Sequence, residues 1–351
     1  MIKKLTVISL LIILLVCISS CSAQYQRFQT EFSGPFDTAT LVIGYAKSAA
    51  EFSRYAEIIY DRMEELHTLF DIYNAYDGLN NLYTVNANAG ISPVEVDREI
   101  IDMLLAAREG YELSGGVVNV AMGAVLRIWH EYRMEGLADP ESAKLPSYDK
   151  LREAAEMIDM EDLIIDEALS TVFLQKAGMS LDVGSVAKGY AAGLAIQAAK
   201  EAGLTSALLN TGGHIITVGK PLDGARDTWS IGIQSPELDA NAGEIIDTVF
   251  FNDLILSVSG GYQRFYVVDG VAYNHIIDPE TLMPASRYKQ VAVIHENSAL
   301  TDMLSTALFI MANEEGVELA EKYGADVLWV GLDDERKVHG GLFSSSLEPK
   351  D

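Results

Sequence analysis

The chain has 351 residues, 49% of them apolar and 22% charged, which is enough apolar material for a large buried core and too much for a disordered polypeptide. Its formal charge of −26, from 51 acidic and 25 basic residues, excludes a general grip on nucleic acid, which needs a basic surface to displace counterions from phosphates. An anionic substrate would therefore need a local cation.

The chain opens MIKKLTVISLLIILLVCISSC, with Lys3 and Lys4 ahead of an apolar run over residues 5–18 and then small residues. This is the pattern of an export signal, and the run is short for a bilayer span. Ile18-Ser19-Ser20-Cys21 is similar to the lipobox of bacterial lipoproteins. Residues 1–20 are thus expected to be a cleaved signal peptide and Cys21 the lipidated (palmitate-bearing) start of the mature chain. That puts the protein at the cell membrane, lipid-anchored and facing the extracytoplasmic side; an ordinary signal peptide or an uncleaved anchor is the alternative. No cysteine follows Cys21, so neither disulfides nor a cysteine metal site hold the fold.

Residues 21–35 read as a tether. The pattern then predicts a strand over 38–46 and an amphipathic helix over 48–69. A polar loop with four asparagines follows over 78–90, then a helix over 96–113 with Asp97 and Arg98 near its start. Residues 139–146, with Pro140 and Pro146, read as a connection. A hairpin of 170–174 with 178–183 leads to a helix over 185–202 stopped by Gly203. Strands are predicted over 206–210, 214–219, 228–234, 248–257, 264–268 and 271–277, the last two joined by Asp269-Gly270. A strand over 291–295 and a helix over 299–312 complete the series. Without repeats or a long linker, this is a single α+β domain, mainly antiparallel sheet with packed helices.

Several polar, glycine-containing segments exceed what core packing needs. In LDVGSVAKGYAAG (residues 181–193), glycines ahead of a helix offer free N–H groups and a positive dipole end to an anion. It is not a Walker loop: Gly184 and Gly189 have the spacing, but Tyr190 and Ala191 follow. Nor does it contain the Gly-x-Gly of a dinucleotide fingerprint. Asp182, just before Gly184, either caps the helix or faces a ligand. Asp302 and Thr306 are four apart on a predicted helix, so their oxygens share one face, with Ser305 close by; hard oxygen donors suit Mg²⁺, although such pairs also serve as caps. His275, in YNHIIDP, precedes a turn at Asp278-Pro279-Glu280-Thr281, and its ordinary pKa would let it take a hydroxyl proton. The other histidines, His67, His130, His214, His295 and His339, lack such a context and read as structural. The pairs Gly212-Gly213 and Gly260-Gly261 fit tight turns or close backbone approach equally well.

In this order and spacing, LDVGSVAKGYAAG, LLNTGGHIITVG, SVSGGYQRF with NHIIDPETLMPA, and ALTDMLSTALF resemble the ApbE family, the FAD:protein FMN transferases. The likeness extends upstream through FDIYNAYDGLNNLYTVN and GGVVNVAMGAVLRIWHEYR, so it covers about residues 36–345. The resemblance implies an ApbE-like fold and Mg²⁺ bound by Asp302 and Thr306, joined by an oxygen from Ser185 or Ala187. It implies contacts to FAD, the substrate, at Phe36, Tyr73, Val117, Val118, Asn119, Asp182, Lys188, Gly212, Gly213, Ser259, Gly260 and Ile277. His275 would be the residue required for transfer. The implied reaction is attack of a target protein's Ser or Thr hydroxyl on the FMN phosphorus of FAD, with AMP leaving. The implied acceptors are exported flavoprotein subunits of membrane redox complexes, of the Rnf or Na⁺-pumping quinone reductase type. The same site with water as nucleophile would be an FAD pyrophosphatase, and without chemistry a flavin-binding lipoprotein. The chain departs from the family pattern at Gly261, where Ser-Gly-Asp-Tyr is usual, at Asn119, where many members have Asp, and at Phe36, where Met is common. Lys188 stands at a position that varies between Lys and Glu.

Overall fold

The computed structural model describes residues 25–237 and 244–343, so the signal segment and Cys21 lie outside the described residues. The described chain begins with a hairpin of β1 (Gln26–Ser33) and β2 (Ala39–Ala46), in register from Gln26 opposite Ala46 to Ser33 opposite Ala39. Part of the stretch expected as a tether is therefore an edge strand. Its alternation of half-buried and exposed side chains is polar enough to pass for a linker.

Helix α1 (Ala49–Phe70) is capped by Ser48, whose hydroxyl accepts the Glu51 N–H. It buries Phe52, Ile59, Met63 and Leu66, spaced three, four or seven apart along one face. The asparagine-rich stretch expected as a loop contains a short helix, α2 (Leu82–Ala87). Asn81 caps it by accepting from Thr84 N–H, while its amide donates to the Thr68 and Asn74 carbonyls. Strand β3 (Val94–Glu95) precedes α3 (Arg98–Leu113), which Asp97 caps. Helices α4 (Gly123–Ala138) and α5 (Tyr148–Ala155) flank the proline connection. Strands β4 (Leu163–Asp166) and β5 (Thr171–Leu174) pair with each other, and β3 adds to β5. Residues 178–183, expected as the second strand of that hairpin, instead run as a loop with a single bridge from Ser180 to Met122.

Helix α6 (Ala187–Glu201) leads into β6 (Ala207–Thr211) and β7 (His214–Val218). A separate hairpin of β8 (Trp229–Gln234) and β9 (Ile245–Phe251) follows, then β10 (Ile255–Gly260). The one strand expected over 248–257 is thus two, divided at a turn around Asp253, whose φ is 53°. Strands β11 (Phe265–Val268) and β12 (Val271–Asn274) form a two-stranded ribbon about Asp269-Gly270. The chain ends with β13 (Tyr288–His295), α7 (Ser298–Ile310), α8 (Asn313–Tyr323), β14 (Asp326–Gly331) and β15 (Arg336–His339).

The main sheet has eight strands in the order β1-β2-β6-β7-β10-β13-β14-β15, each pair antiparallel. On one face α1 and α6 cover Val42, Leu209 and Ile216, and the β8–β9 hairpin covers Leu208, Ile215 and Leu256 on the other. Helix α6 fits between α1 and α7 because its buried residues are mostly alanine and glycine. At Gly189 a Cβ would lie 2.5 Å from Asp302 Cβ and 2.8 Å from the Ser298 carbonyl oxygen, so only glycine allows this approach. Among the described residues no helix is long and apolar enough to cross a membrane.

Candidate active site

The close contact of α6 with α7 places the start of α6 against Asp302. Asp302 is 6% exposed, and its Oδ1 accepts from Lys188 Nζ at 3.1 Å and Ser257 Oγ at 3.1 Å, while Oδ2 accepts the Gly189 N–H at 2.8 Å. Ser305 Oγ donates to the Asp302 carbonyl at 2.8 Å and lies 2.8 Å from Ser259 Oγ. Thr306 Oγ1 donates back to the same carbonyl at 3.4 Å. Burial pushes the Asp302 carboxyl up, but the Lys188 ammonium and the Gly189 N–H outweigh it and hold the group below the usual carboxylate range. His214 lies 3.8 Å away, fully buried, and burial and then the Lys188 charge push it down to about 3. It is therefore neutral near pH 7, so the stabilising positive charge on Asp302 comes from Lys188. His214 Nε2 is 2.8 Å from Ser298 Oγ, which itself donates to the Gly189 carbonyl at 2.6 Å. Nε2 thus carries the proton, leaving Nδ1 bare toward Asp302.

No group of three or more His, Cys, Asp or Glu suited to a metal occurs among the described residues. A cation at Asp302 would rest on one carboxylate, the neighbouring hydroxyls and whatever a substrate adds. Mg²⁺ tolerates that set, since it commonly takes one or two carboxylates and completes its shell with phosphate and water. It would have to take the place of the Lys188 ammonium. Ala187 opens α6 and Ser185 lies in the turn before it, next to the residues that contact Asp302.

Upstream on the same segment, Asp182 does not cap α6, whose cap position is Val186. Its Oδ1 accepts the Gly184 N–H at 3.0 Å in a local turn. Asp182 lines a cleft of about 350 Å³ together with Tyr73, Asn86, Arg127 and His130. Tyr73 is 57% exposed, with its ring 5.6 Å from that of His130. Burial pushes the Asp182 carboxyl up, opposed by the Gly184 N–H, His130 and Arg133. Burial and the Asp182 charge push the Tyr73 hydroxyl up, opposed by Arg133 and Arg264.

His275 follows β12, half-buried, with Nδ1 3.2 Å from the Arg264 carbonyl oxygen. A carbonyl only accepts, so Nδ1 carries the proton and Nε2 presents a lone pair. Burial, then Arg264 and Arg133, push this imidazole down to about 4, which keeps it neutral at physiological pH.

The remaining candidates take supporting positions. Phe36 has φ 55°, donates its N–H to His67 Nδ1 at 3.2 Å, and sets its ring 5.5 Å from that imidazole. Gly212-Gly213 make the tight turn between β6 and β7, with φ of 57° and 85°. Val118 is buried and Val117 half-buried in the loop leading to α4. Asn119 holds that loop, donating to the Ile158 carbonyl at 2.9 Å and accepting the Ala121 N–H at 2.8 Å. Gly260 ends β10 opposite Gln290, and Ile277 is buried where the chain bridges to Pro284. His130 and His214, read from sequence as structural, stand in the cleft and against Asp302. Arg127, Arg133 and Arg264 went unread because basic residues carry no periodic signal; the spacing of three from Arg127 to His130 to Arg133 was the available clue.

Two groups of polar residues, around Asp302 and around Asp182, are thus joined by residues 182–189. The sequence model of the ApbE family matches residues 37–329. The chain is 30% identical over 353 residues to the FAD:protein FMN transferase of Treponema pallidum (strain Nichols), covering 95% of this chain and 93% of that one. It is 29% identical over 288 residues to the FAD:protein FMN transferase of Klebsiella pneumoniae (strain 342), covering 82% and 84%. The crystal structure of the ApbE protein from Thermotoga maritima superposes with a TM-score of 0.76 at 26% identity, over 90% of this chain and 96% of that one. Sequence and fold agree along nearly the whole described length, and the chain belongs to the ApbE family.

Proposed function

We propose that this protein is an FAD:protein FMN transferase that moves FMN from FAD to a Ser or Thr hydroxyl of a target flavoprotein and releases AMP. The observation that carries the chemistry is His275, a neutral imidazole whose Nε2 presents a lone pair, in the field of the same Arg133 that touches His130 in the cleft, while residues 182–189 join that cleft to a cation-compatible carboxylate. The acceptor hydroxyl gives its proton to Nε2, and its oxygen bonds to the FMN phosphorus. The bond from that phosphorus to the bridging oxygen breaks, and AMP leaves with the oxygen. A Mg²⁺ held by Asp302, Thr306 and an oxygen of Ser185 or Ala187 would neutralise charge on the pyrophosphate oxygens. With Mg²⁺ bound, Lys188 would leave Asp302 and pair with phosphate. Asp182 and Tyr73 would orient the flavin nucleotide in the cleft.

Lipidation at Cys21 would hold the enzyme on the extracytoplasmic face of the membrane. Exported flavoprotein subunits of Rnf or Na⁺-pumping quinone reductase complexes would be within its reach there. The test is incubation with FAD, Mg²⁺ and such a subunit. Flavin fluorescence on the denatured acceptor, with one AMP released per label, is the expected result. Free FMN and AMP without label would make the protein a pyrophosphatase, and unchanged FAD would make it a flavin carrier.

A further inference from the structure

In a chain with twice as many acidic as basic residues, an arginine easily finds a carboxylate. Arg127, Arg133 and Arg264 nevertheless take part in no ion pair among the described residues. Arg127 lines the cleft beside Asp182. One turn on, His130 lies 3.1 Å from an Arg133 guanidinium nitrogen. The three residues recur every third position and so share one side of α4.

The fold brings Arg264 to the same place. Helix α4 packs on β11, and Gly136 allows it: a Cβ there would lie 2.7 Å from the Tyr266 ring. Pairing of Phe265 with Asn274 then sets Arg264 across from His275, and the Arg264 carbonyl contacts the imidazole at 3.2 Å. The Arg133 guanidinium is pushed down by burial and by the charge of Arg264, as expected of like charges held near each other. The Asp182 charge opposes that shift without forming an ion pair, so an anion entering between the two guanidiniums would still be stabilising.

We propose that Arg133 and Arg264 bind the phosphate of the flavin nucleotide beside His275, with Arg127 extending the positive strip along the cleft. A guanidinium presents its donors as a planar fork that matches phosphate oxygens, and two forks hold the group from two sides. This rests on the transferase reading and adds a phosphate site to it. Arg264 has two tasks: its carbonyl orients the imidazole, and its side chain holds the phosphate that the imidazole serves. In the transfer the two arginines exchange no proton. The hydroxyl proton goes to His275, the new oxygen–phosphorus bond forms, and the bond to AMP breaks while the guanidinium forks stay on the non-bridging oxygens.

The test compares riboflavin, which lacks phosphate, with FMN, by quenching of flavin fluorescence in the full chain. Wild type should bind FMN more tightly than riboflavin, and the preference should narrow as salt rises. In Arg133→Gln/Arg264→Gln the preference should shrink about 10- to 100-fold while riboflavin binding stays within about two-fold. Arg264→Lys should fall between, because a lysine restores the charge but not the fork. An unchanged preference in the folded double variant overturns the proposal. So does an equal loss of riboflavin and FMN binding, which would make the arginines structural. An intact, arginine-dependent FMN preference in a wild-type protein that labels no acceptor would instead sink the transferase reading and leave the phosphate site standing.

Discussion

His275 works through one contact and one field. The Arg264 carbonyl fixes which nitrogen is protonated, while burial and the two arginines push the ring down to about 4, below the ordinary value of about 6.5. The acidic limb of kcat/KM for transfer should therefore lie near pH 4, not near 6.5. His275→Ala should remove that limb and slow transfer by about 10²- to 10⁴-fold while FAD still binds; a limb that persists in the variant would assign it to another group. For stability the sign is opposite to that of a paired histidine. Between pH 6.5 and 4 the unfolded chain takes up a proton that the folded site refuses, so His275 favours unfolding progressively as pH falls through that window and adds nothing further below it. At Asp302 a buried carboxylate depends on Lys188, itself partly exposed. Lys188→Met should lower stability by about 1–3 kcal/mol, less than a fully buried pair would lose. Added Mg²⁺ should recover most of that loss in thermal unfolding and should have no such effect in Asp302→Ala. Both Asp302 and Lys188 were legible as candidates from their motifs. Their pairing across 114 positions was not, because no local pattern encodes a contact at that separation.

Helices α6 and α7 meet closely because Gly189 lacks a side chain where Asp302 and Ser298 press against it. Gly189→Ala should cost about 1–3 kcal/mol by forcing the helices apart. It should also weaken the Gly189 N–H contact to Asp302, so urea unfolding and Mg²⁺ affinity should both change; a variant as stable as wild type would show that the helices can shift freely. The helices with a long apolar period, α1 and α3, were read within a few residues of their ends, since Ser48 and Asp97 mark their starts chemically. Helix α4 has no such signal, because it begins with no side-chain cap and its buried residues are interrupted by Arg127 and His130, which line the cleft. The 178–183 stretch has the apolar alternation of a strand but sits against Asn86, which accepts from the Leu181 N–H at 2.7 Å and donates to its carbonyl at 3.0 Å. A side chain thus takes the hydrogen bonds that a partner strand would have supplied.

If Cys21 carries the lipid, the edge strand β1 begins at Gln26, after a link of about four residues that spans at most roughly 14 Å. The enzyme would then ride close to the bilayer, and Cys21→Ala should release it into the soluble fraction with its FAD-dependent activity intact. Continued sedimentation of the variant with membranes would refute the anchor. Composition, the N-terminal pattern and the ordered glycine-rich motifs by themselves determined the family, the α+β class and most of the candidate residues, because each of those signals lies within a few residues of chain. What the tertiary structure decided is which of those residues meet. The eight-stranded order, the seating of α4 on β11 and the approach of α6 to α7 depend on packing between segments far apart in sequence. Through that packing Lys188 sits on Asp302, Arg264 turns His275, and Arg133 and Arg264 stand near each other outside any ion pair among the described residues.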